Sequence, residues 1–527
     1  MMGPKHAPTA DHTTRREFLN AAATAVAAGA LVGAVPRRAW PAGGEVDTAT
    51  SELWGEAGER WSPDGRLPDF SYAGYRRGET LIPDVPVAAN IRDFGALGDG
   101  EHDDTGALRR AIANTDEGAI LLPAGRYRIT DILEIRKGGV VLRGEGPEQT
   151  TLDCPRPLNA IRPNWGATTS GRRTSNYSWS GGIVSVRGDF QHDLLTNVTA
   201  PAVRGSQTVR AADASMLAVG QVVELHQRDQ ENDSLAEYLY AGQPGPTAKL
   251  NGRTRVSLAA QVIRVDGDRV TLDRPLPFDV RTQWRPRLLR FEPTVSEVGI
   301  EDLAFQFPVE PYEGHFTEVG YNALALTNVA HCWVRNVRIL HCDSGIFARS
   351  RFSTFENVVF VSDREPERSR QATGHHGLST SGHDNLFTGF DFGTRFMHDI
   401  TVTSQASGNV FAAGRGKDIC FDHHKRAPFA NLFTDIDLGA GTRMYQCGGG
   451  ADLGRNSAAW TTFWNIRAAG PQRWPPRSFG PDLMNFVAVK SEQMEVTEPD
   501  GKWFEVIDPS RVQPQNLHTA QLRRRLA

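Results

Sequence analysis

From about residue 320 onward, apolar and polar side chains alternate in short runs and do not recur at helical spacing. HDITVTS (398–404) and DICFDHH (418–424) carry apolar residues at every second position, and glycines mark many of the corners between such runs. A period of two predicts strands. An Asn followed by an apolar residue recurs at Asn336, Asn357, Asn385, Asn409, Asn431, Asn465 and Asn485, at intervals of 21, 28, 24, 22, 34 and 20 residues. Intervals of that size signal stacked supersecondary units. The expected fold is all-β, a single-stranded right-handed parallel β-helix whose coils stack about 4.8 Å apart. The recurrent asparagines would form a side-chain ladder inside a turn.

The pattern also divides the chain. Residues 90–204 hold the first coils and 284–490 the main coils with the expected groove. Between them, 205–283 reads as a small β-barrel-like insert of short strands around the hairpin signal Asp266-Gly267. Residues 43–89 are an N-terminal extension, and 491–527, ending in QLRRRLA, reads as a loose basic tail. Residues 1–42 resemble a twin-arginine export signal: Arg15 and Arg16, then Phe18 and Leu19, then an Ala/Gly/Val run too short and too weakly apolar to span a membrane. Cleavage after Ala34 or Ala42 would leave a soluble, periplasmic or extracellular protein with no membrane span.

Lys plus Arg number 58 against 62 Asp plus Glu, so no overall field attracts nucleic acid. Five cysteines without a C-x-x-C pair argue against a zinc knuckle and against a disulfide framework.

The stretch NIRDFGALGDGEHDDTGALRRAIANTDEGAILLPAGRYRI (90–129) resembles the opening coil of the pectate-lyase superfamily. These β-helix proteins include polysaccharide lyases, glycoside hydrolases, uronan epimerases and phage tailspikes. The resemblance implies a carbohydrate-active protein. In physical terms Asp103 or Asp104 is expected to cap the helix TGALRRAIA that closes the apolar stack.

Side chains on a strand alternate between interior and outer face, so the apolar partners identify the outward set. With Ile419 and Phe421 inward, Asp422 and His424 point out and His423 points in. The same rule turns Arg349, Arg351, Ser379, Ser381, Thr401, Thr403, Arg443 and Tyr445 outward on neighbouring coils. With His375, His376, His398 and Lys425 they make one polar face suited to an extended sugar chain, with Tyr445 as a stacking ring. So many histidines side by side would be costly to bury, which favours an open site. The loop 308–322 is expected to project and wall the groove, offering Glu313, His315 and Glu318.

Asp422, His424, Arg426 and Arg443 are the catalytic candidates. In a lyase, an arginine neutralises the uronate carboxylate and His424, oriented by Asp422, removes the C5 proton. A glycoside hydrolase would instead pair Asp422 with Asp399 or Asp418, and a non-catalytic carbohydrate-binding solenoid is the third reading. No cofactor is required. His423 and His424 point to opposite faces and cannot share a zinc ion, while carboxylate-bound Ca2+ is compatible with the architecture although no Asp-rich loop demands it.

Overall fold

The computed structural model describes residues 48–168, 170–230, 232–491, 497 and 501–527; the export-signal stretch 1–42 lies outside the described residues. No helix among them is long and apolar enough to cross a membrane.

The chain winds as a parallel β-helix. One face is a seven-stranded parallel sheet of β1 (Leu133–Ile135), β2 (Val184–Arg187), β3 (Asn322–Ala330), β4 (Ser344–Arg351), β5 (Gly374–Thr380), β6 (Phe396–Val402) and β7 (Phe421–His423), stacked in that order. Its register puts Leu324, Ile346, Leu378, Ile400 and Phe421 in one inward column. All five are buried. One residue further along each strand, Ala325, Phe347, Ser379, Thr401 and Asp422 form the outward column. The alternation in the sequence therefore fixes which residues reach the outer face.

The remaining walls are built from longer strands such as Gly299–Gln306, Trp333–Leu340 and Thr354–Val361, which pair in parallel on both sides of a bend. The bend is one residue per coil in the left-handed region: Asp302, Asn336 and Asn357, with φ of 57°, 52° and 53°. The strand register continues this row through Gly389, Ala413, Asp435, Asn465 and Ala488, all with positive φ. Six of the seven repeat asparagines split into two roles, and Asn485, in register with Thr462, belongs to neither. Asn336, Asn357 and Asn465 make bends, a conformation Asn tolerates better than most residues. Asn385, Asn409 and Asn431 form the ladder, with Asn385 Nδ2 donating to Asn409 Oδ1 at 2.9 Å and Asn409 Nδ2 to Asn431 Oδ1 at 3.0 Å. The irregular intervals are the signature of two superposed rows.

Inside the helix a file of phenylalanines runs along the axis. Phe355, Phe387, Phe411, Phe433, Phe463, Phe486 and Phe504 stack on one another with centroids 4.5 to 5.3 Å apart. Each stacked pair adds about 0.5–1.5 kcal/mol beyond its burial.

The insert is an antiparallel six-stranded sheet that begins at Leu194 and ends at Arg290, wider than 205–283, because Leu194–Asn197 pairs with Arg287–Arg290 and closes the unit on itself. Its hairpin turns where expected, with Asp266 paired to Arg269 and Gly267 at φ 60°.

Helix α1 (Thr105–Asn114) buries Ala107, Leu108, Ala111 and Ile112 over the open end of the stack. Of the two aspartates before it, Asp103 caps the first turn, its Oδ1 accepting from the Thr105 N–H at 3.1 Å, and Asp104 does not. Asp104 accepts from the N–H groups of Leu97 and Gly98, at 2.7 and 3.0 Å, and makes no cap bond; Asp103 accepts from Thr105 and Thr130. Both hold turns. At the other end the strands Asn485–Val489 and Trp503–Glu505 carry the sheet past 490, and α2 (Leu517–Leu526) docks on the N-terminal extension. Gln521 Nε2 donates to Pro68 O at 2.9 Å and Arg525 Nη2 to Ser71 O at 3.0 Å, so the basic end is anchored, not loose.

Candidate functional site

On the outer face of β5 to β7 the outward column ends in Asp422, and the ionisable groups gather around it. His424 follows two residues later on the same side, and Asp422 Oδ2 lies 2.8 Å from its Nδ1. Thr401, one coil back in the Asp422 column, donates to the same carboxylate at 3.1 Å, and Gly448 N donates to Oδ1 at 2.7 Å. Asp422 is fully buried while His424 keeps a third of its side chain exposed. Burial alone would raise the Asp422 carboxyl, yet the His398 and His424 imidazoles carry it far below the usual carboxylate range. The same pairing raises His424 against its own desolvation.

Four further imidazoles stand beside this pair. His376 and His398 are paired in the strand register, with rings 5.1 Å apart, and His375 lies 4.1 Å from His376. His315 reaches in from the segment between the Gly299–Gln306 strand and β3, its ring 4.5 Å from His375. The expectation that crowded histidines stay open is not met: His375, His376 and His398 are all buried. They remain there uncharged. Desolvation, followed by their mutual repulsion, holds His375 and His376 well below the ordinary histidine range; burial, against the opposing pull of Asp422, brings His398 down to about 3.

The backbone after His424 is strained. Lys425, Arg426 and Ala427 are consecutive left-handed residues with φ of 63°, 63° and 54°. Arg426 N donates to Leu453 O at 3.0 Å and Ala427 N to the Tyr240 hydroxyl at 2.8 Å, so the insert helps to hold the turn that ends the strand. His423 is inward, as its parity requires: it is fully buried, with its ring against Phe433, Phe463 and Phe479.

Other candidates sit elsewhere. Arg443 and Tyr445 do not lie on an outward strand, because the chain leaves the sheet after β7. The Arg443 guanidinium is buried in ion pairs with Asp399 (2.5 Å) and Asp418 (3.7 Å) and donates to Phe396 O. Tyr445 packs its ring on Phe463, Phe479 and Phe486 and is no stacking platform for a sugar. Arg351 is buried against Glu224 and Ser257 of the insert. Arg349 and Ser381 line, with it, a cavity of about 390 Å³ at the seam between coils and insert. The single face read from parity is therefore two places: the histidine cluster with Ser379, Thr401, Thr403 and Lys425, and the arginine-lined seam. Arg426 is exposed at the turn after the cluster.

Two residues of the site escaped the sequence reading. Gly448 closes over the cluster so tightly that a Cβ there would lie 2.6 Å from His424 Cε1 and 3.0 Å from His398 Cε1. The run CGGG (447–450) was the available signal, since clustered glycines mark close backbone approach. Arg370, on the segment before β5, faces His315 and, after burial, contributes to holding it down at about 4.

Residues 88–156 match the family model "Rhamnogalacturonase A/epimerase, pectate lyase-like". Among curated proteins, the mannuronan C5-epimerase AlgE1 of Azotobacter vinelandii is 34% identical over 104 residues, which are 18% of this chain and 7% of that protein. AlgE4 of the same organism is 39% identical over 97 residues, 17% of this chain and 18% of its own. Alginate lyase 7, also from Azotobacter vinelandii, is 39% identical over 57 residues, 10% of this chain and 7% of its own. The chain thus spans less than a fifth of these relatives. Among solved structures, the tailspike gp49 of Pseudomonas phage LKA1 aligns over 76% of this chain and 70% of its own with a TM-score of 0.45 at 14% identity. The AlgE4 A-module aligns over 76% of each chain with a TM-score of 0.29, also at 14% identity.

Proposed function

We propose that this protein acts on a uronate-containing polysaccharide by removing the proton at C5 of a sugar ring, with β-elimination as the outcome. The observation that carries this reading is the Asp422–His424 hydrogen bond on the outer face of the coils. Asp422 takes the Nδ1 edge of the imidazole and fixes its orientation, leaving Nε2 for the substrate. In the elimination, the C5 proton passes to His424 Nε2 and the electron pair it leaves forms the C4–C5 double bond. The C4–O bond breaks, and the departing oxygen takes the proton back from the imidazolium. Outward side chains stacked coil over coil suit a polymer, and the alginate-acting relatives support a uronate.

A second reading shares the first step. If the C4–O bond holds and a proton returns to C5 from the other face, the product is the C5 epimer, the reaction named for the AlgE relatives. The hydrolase reading loses support, because Asp399 and Asp418, the partners it needs, are buried in ion pairs with Arg443.

Incubating the full chain with alginate, polygalacturonate and other uronans separates these outcomes. Elimination gives new reducing ends together with the ultraviolet absorbance of an unsaturated uronate. Epimerisation gives neither but changes the proton NMR spectrum of the polymer. Reducing ends without absorbance would mean hydrolysis and overturn the proposal.

A further inference from the structure

His315, His375 and His398 converge from the wall segment, the second residue of β5 and the third residue of β6. One ring nitrogen of each lies within 4.8 Å of the other two. His375 is 2% exposed and His398 is 1% exposed. Among the described residues, His398 Nε2 has no hydrogen-bond partner, while the Nδ1 atoms of His375 and His398 face carboxylates without completing a hydrogen bond to them. Buried polar atoms are nearly always paired, and leaving one unpaired carries its full desolvation penalty. An unpaired imidazole packed against two others is an expensive way to fill space that leucine or phenylalanine would fill without cost.

The groups around the rings point to what is missing. Glu318 Oε1 stands 3.3 Å from His375 Nδ1, and Asp422 Oδ2 stands 3.2 Å from His398 Nδ1. Glu318 is itself fixed by the Tyr312 hydroxyl at 2.6 Å. A carboxylate at one edge of the ring is how metal-ligating histidines are oriented, with the opposite nitrogen as donor.

We propose that His315, His375 and His398 bind one divalent transition-metal ion of the zinc type, with Glu318 and Asp422 positioning the two buried ligands. Three nitrogen donors with a further coordination position open suit zinc-type chemistry and are poor calcium ligands. His315 is the half-buried member, so the open position faces the groove. A second trio, His398, Asp422 and His424, also has ligand spacing, but Asp422 is already engaged by Thr401, His424 and Gly448. The ion's role rests on the uronate reading: it would take the sugar carboxylate, a task closed to Arg443 by its ion pairs with Asp399 and Asp418.

The test is metal binding, measured apart from turnover. Full-length protein freed of metal by a chelator is titrated calorimetrically with Zn2+, and separately with Co2+ while visible absorption is followed. The expected result is one equivalent bound, with the d–d bands of a Co2+ site of low coordination number. His315→Ala and His398→Ala should each weaken Zn2+ binding at least 100-fold, and Glu318→Gln about 10- to 100-fold. His424→Ala should change it less than threefold. Because His315 lies off the coils, its variant should keep the wild-type thermal midpoint in the presence of chelator, which separates ligand loss from misfolding. Absence of stoichiometric binding, affinity unchanged in His315→Ala, or affinity lost in His424→Ala would each overturn the assignment. Zinc binding by a protein inactive on every uronan would leave the site standing and remove the functional reading; uronan cleavage by a protein that binds no zinc would do the reverse.

Discussion

The Asp422 carboxylate sits 2.8 Å from His424 Nδ1 while itself wholly buried, so a group at the bottom of the site orients a group at its surface. Neither residue touches the phenylalanine file that stabilises the coils. Removing His424 should therefore cost chemistry and not fold, whereas Asp422 also holds the Thr401 hydroxyl and the Gly448 N–H. His424→Ala should lower turnover on the best uronan by about 10²–10⁴-fold, the usual contribution of a general base. Asp422→Asn keeps the volume but weakens the hold on the ring, and should lose at least tenfold. The thermal midpoint of His424→Ala should stay within a few degrees of wild type. Full activity in both variants would move the reacting groups elsewhere.

Gly448 tests whether that orientation matters, without touching either side chain. An added methyl would meet His424 Cε1 at 2.6 Å, closer than real contacts come, and His398 Cε1 at 3.0 Å, at their tight limit. Gly448→Ala should push the imidazoles from their places and lower kcat by at least tenfold. Stability should fall only slightly, because the glycine belongs to a segment outside the sheet. Unchanged kcat would show that the ring positions tolerate displacement.

Much of this was legible in the sequence. Parity within ICFDHH places Asp422 and His424 out and His423 in, because the interior of a coil admits only apolar partners at alternate positions. The Asn repeat announces stacked coils, but its single phrase hides two rows, since one residue type serves both a left-handed bend and an amide ladder. Arg443 and Tyr445 were misplaced for a physical reason. After β7 the chain stops pairing on that face, and alternation carries no meaning where no strand forms. The tail illustrates another limit: arginines that look solvated in a one-dimensional reading lie over Trp54, Trp61 and Tyr72 of the N-terminal extension. Such long-range docking leaves no local signature. Nor does His315, which reaches the cluster from a segment about 60 residues before His375.

Two histidines outside the site, half-buried His331 and buried His518, should make the fold sensitive to acid. Burial brings His331 down to about 3, with help from Arg76 and Arg77, and His518 down to about 4, with help from Arg525 and against the Ala73 backbone. The unfolded chain protonates each near pH 6.5. Between that value and the folded one, the unfolded state binds the extra proton, so stability falls as pH falls. The loss approaches about 1.4 kcal/mol per pH unit for each group. Thermal midpoints taken from pH 7.5 to 4.5 should decline, and more gently in His518→Gln than in wild type. Parallel curves would show that His518 takes up its proton without unfolding.

Arg443 separates a structural role from a substrate-binding one. Its guanidinium lies against Asp399 and Asp418, both almost fully buried, and it donates to the Phe396 carbonyl. Arg443→Ala leaves those carboxylates deep in the coil with less positive charge to balance them. Breaking a buried pair in this way costs about 3–5 kcal/mol. The variant should unfold at markedly lower denaturant concentration, and the protein that remains folded should bind uronan oligomers with a Kd close to wild type. Arg443→Met, which removes the charge but keeps much of the volume, should not rescue stability, because the two acids remain. If instead the alanine variant kept its denaturation midpoint and lost oligomer binding, the guanidinium would be a substrate contact after all.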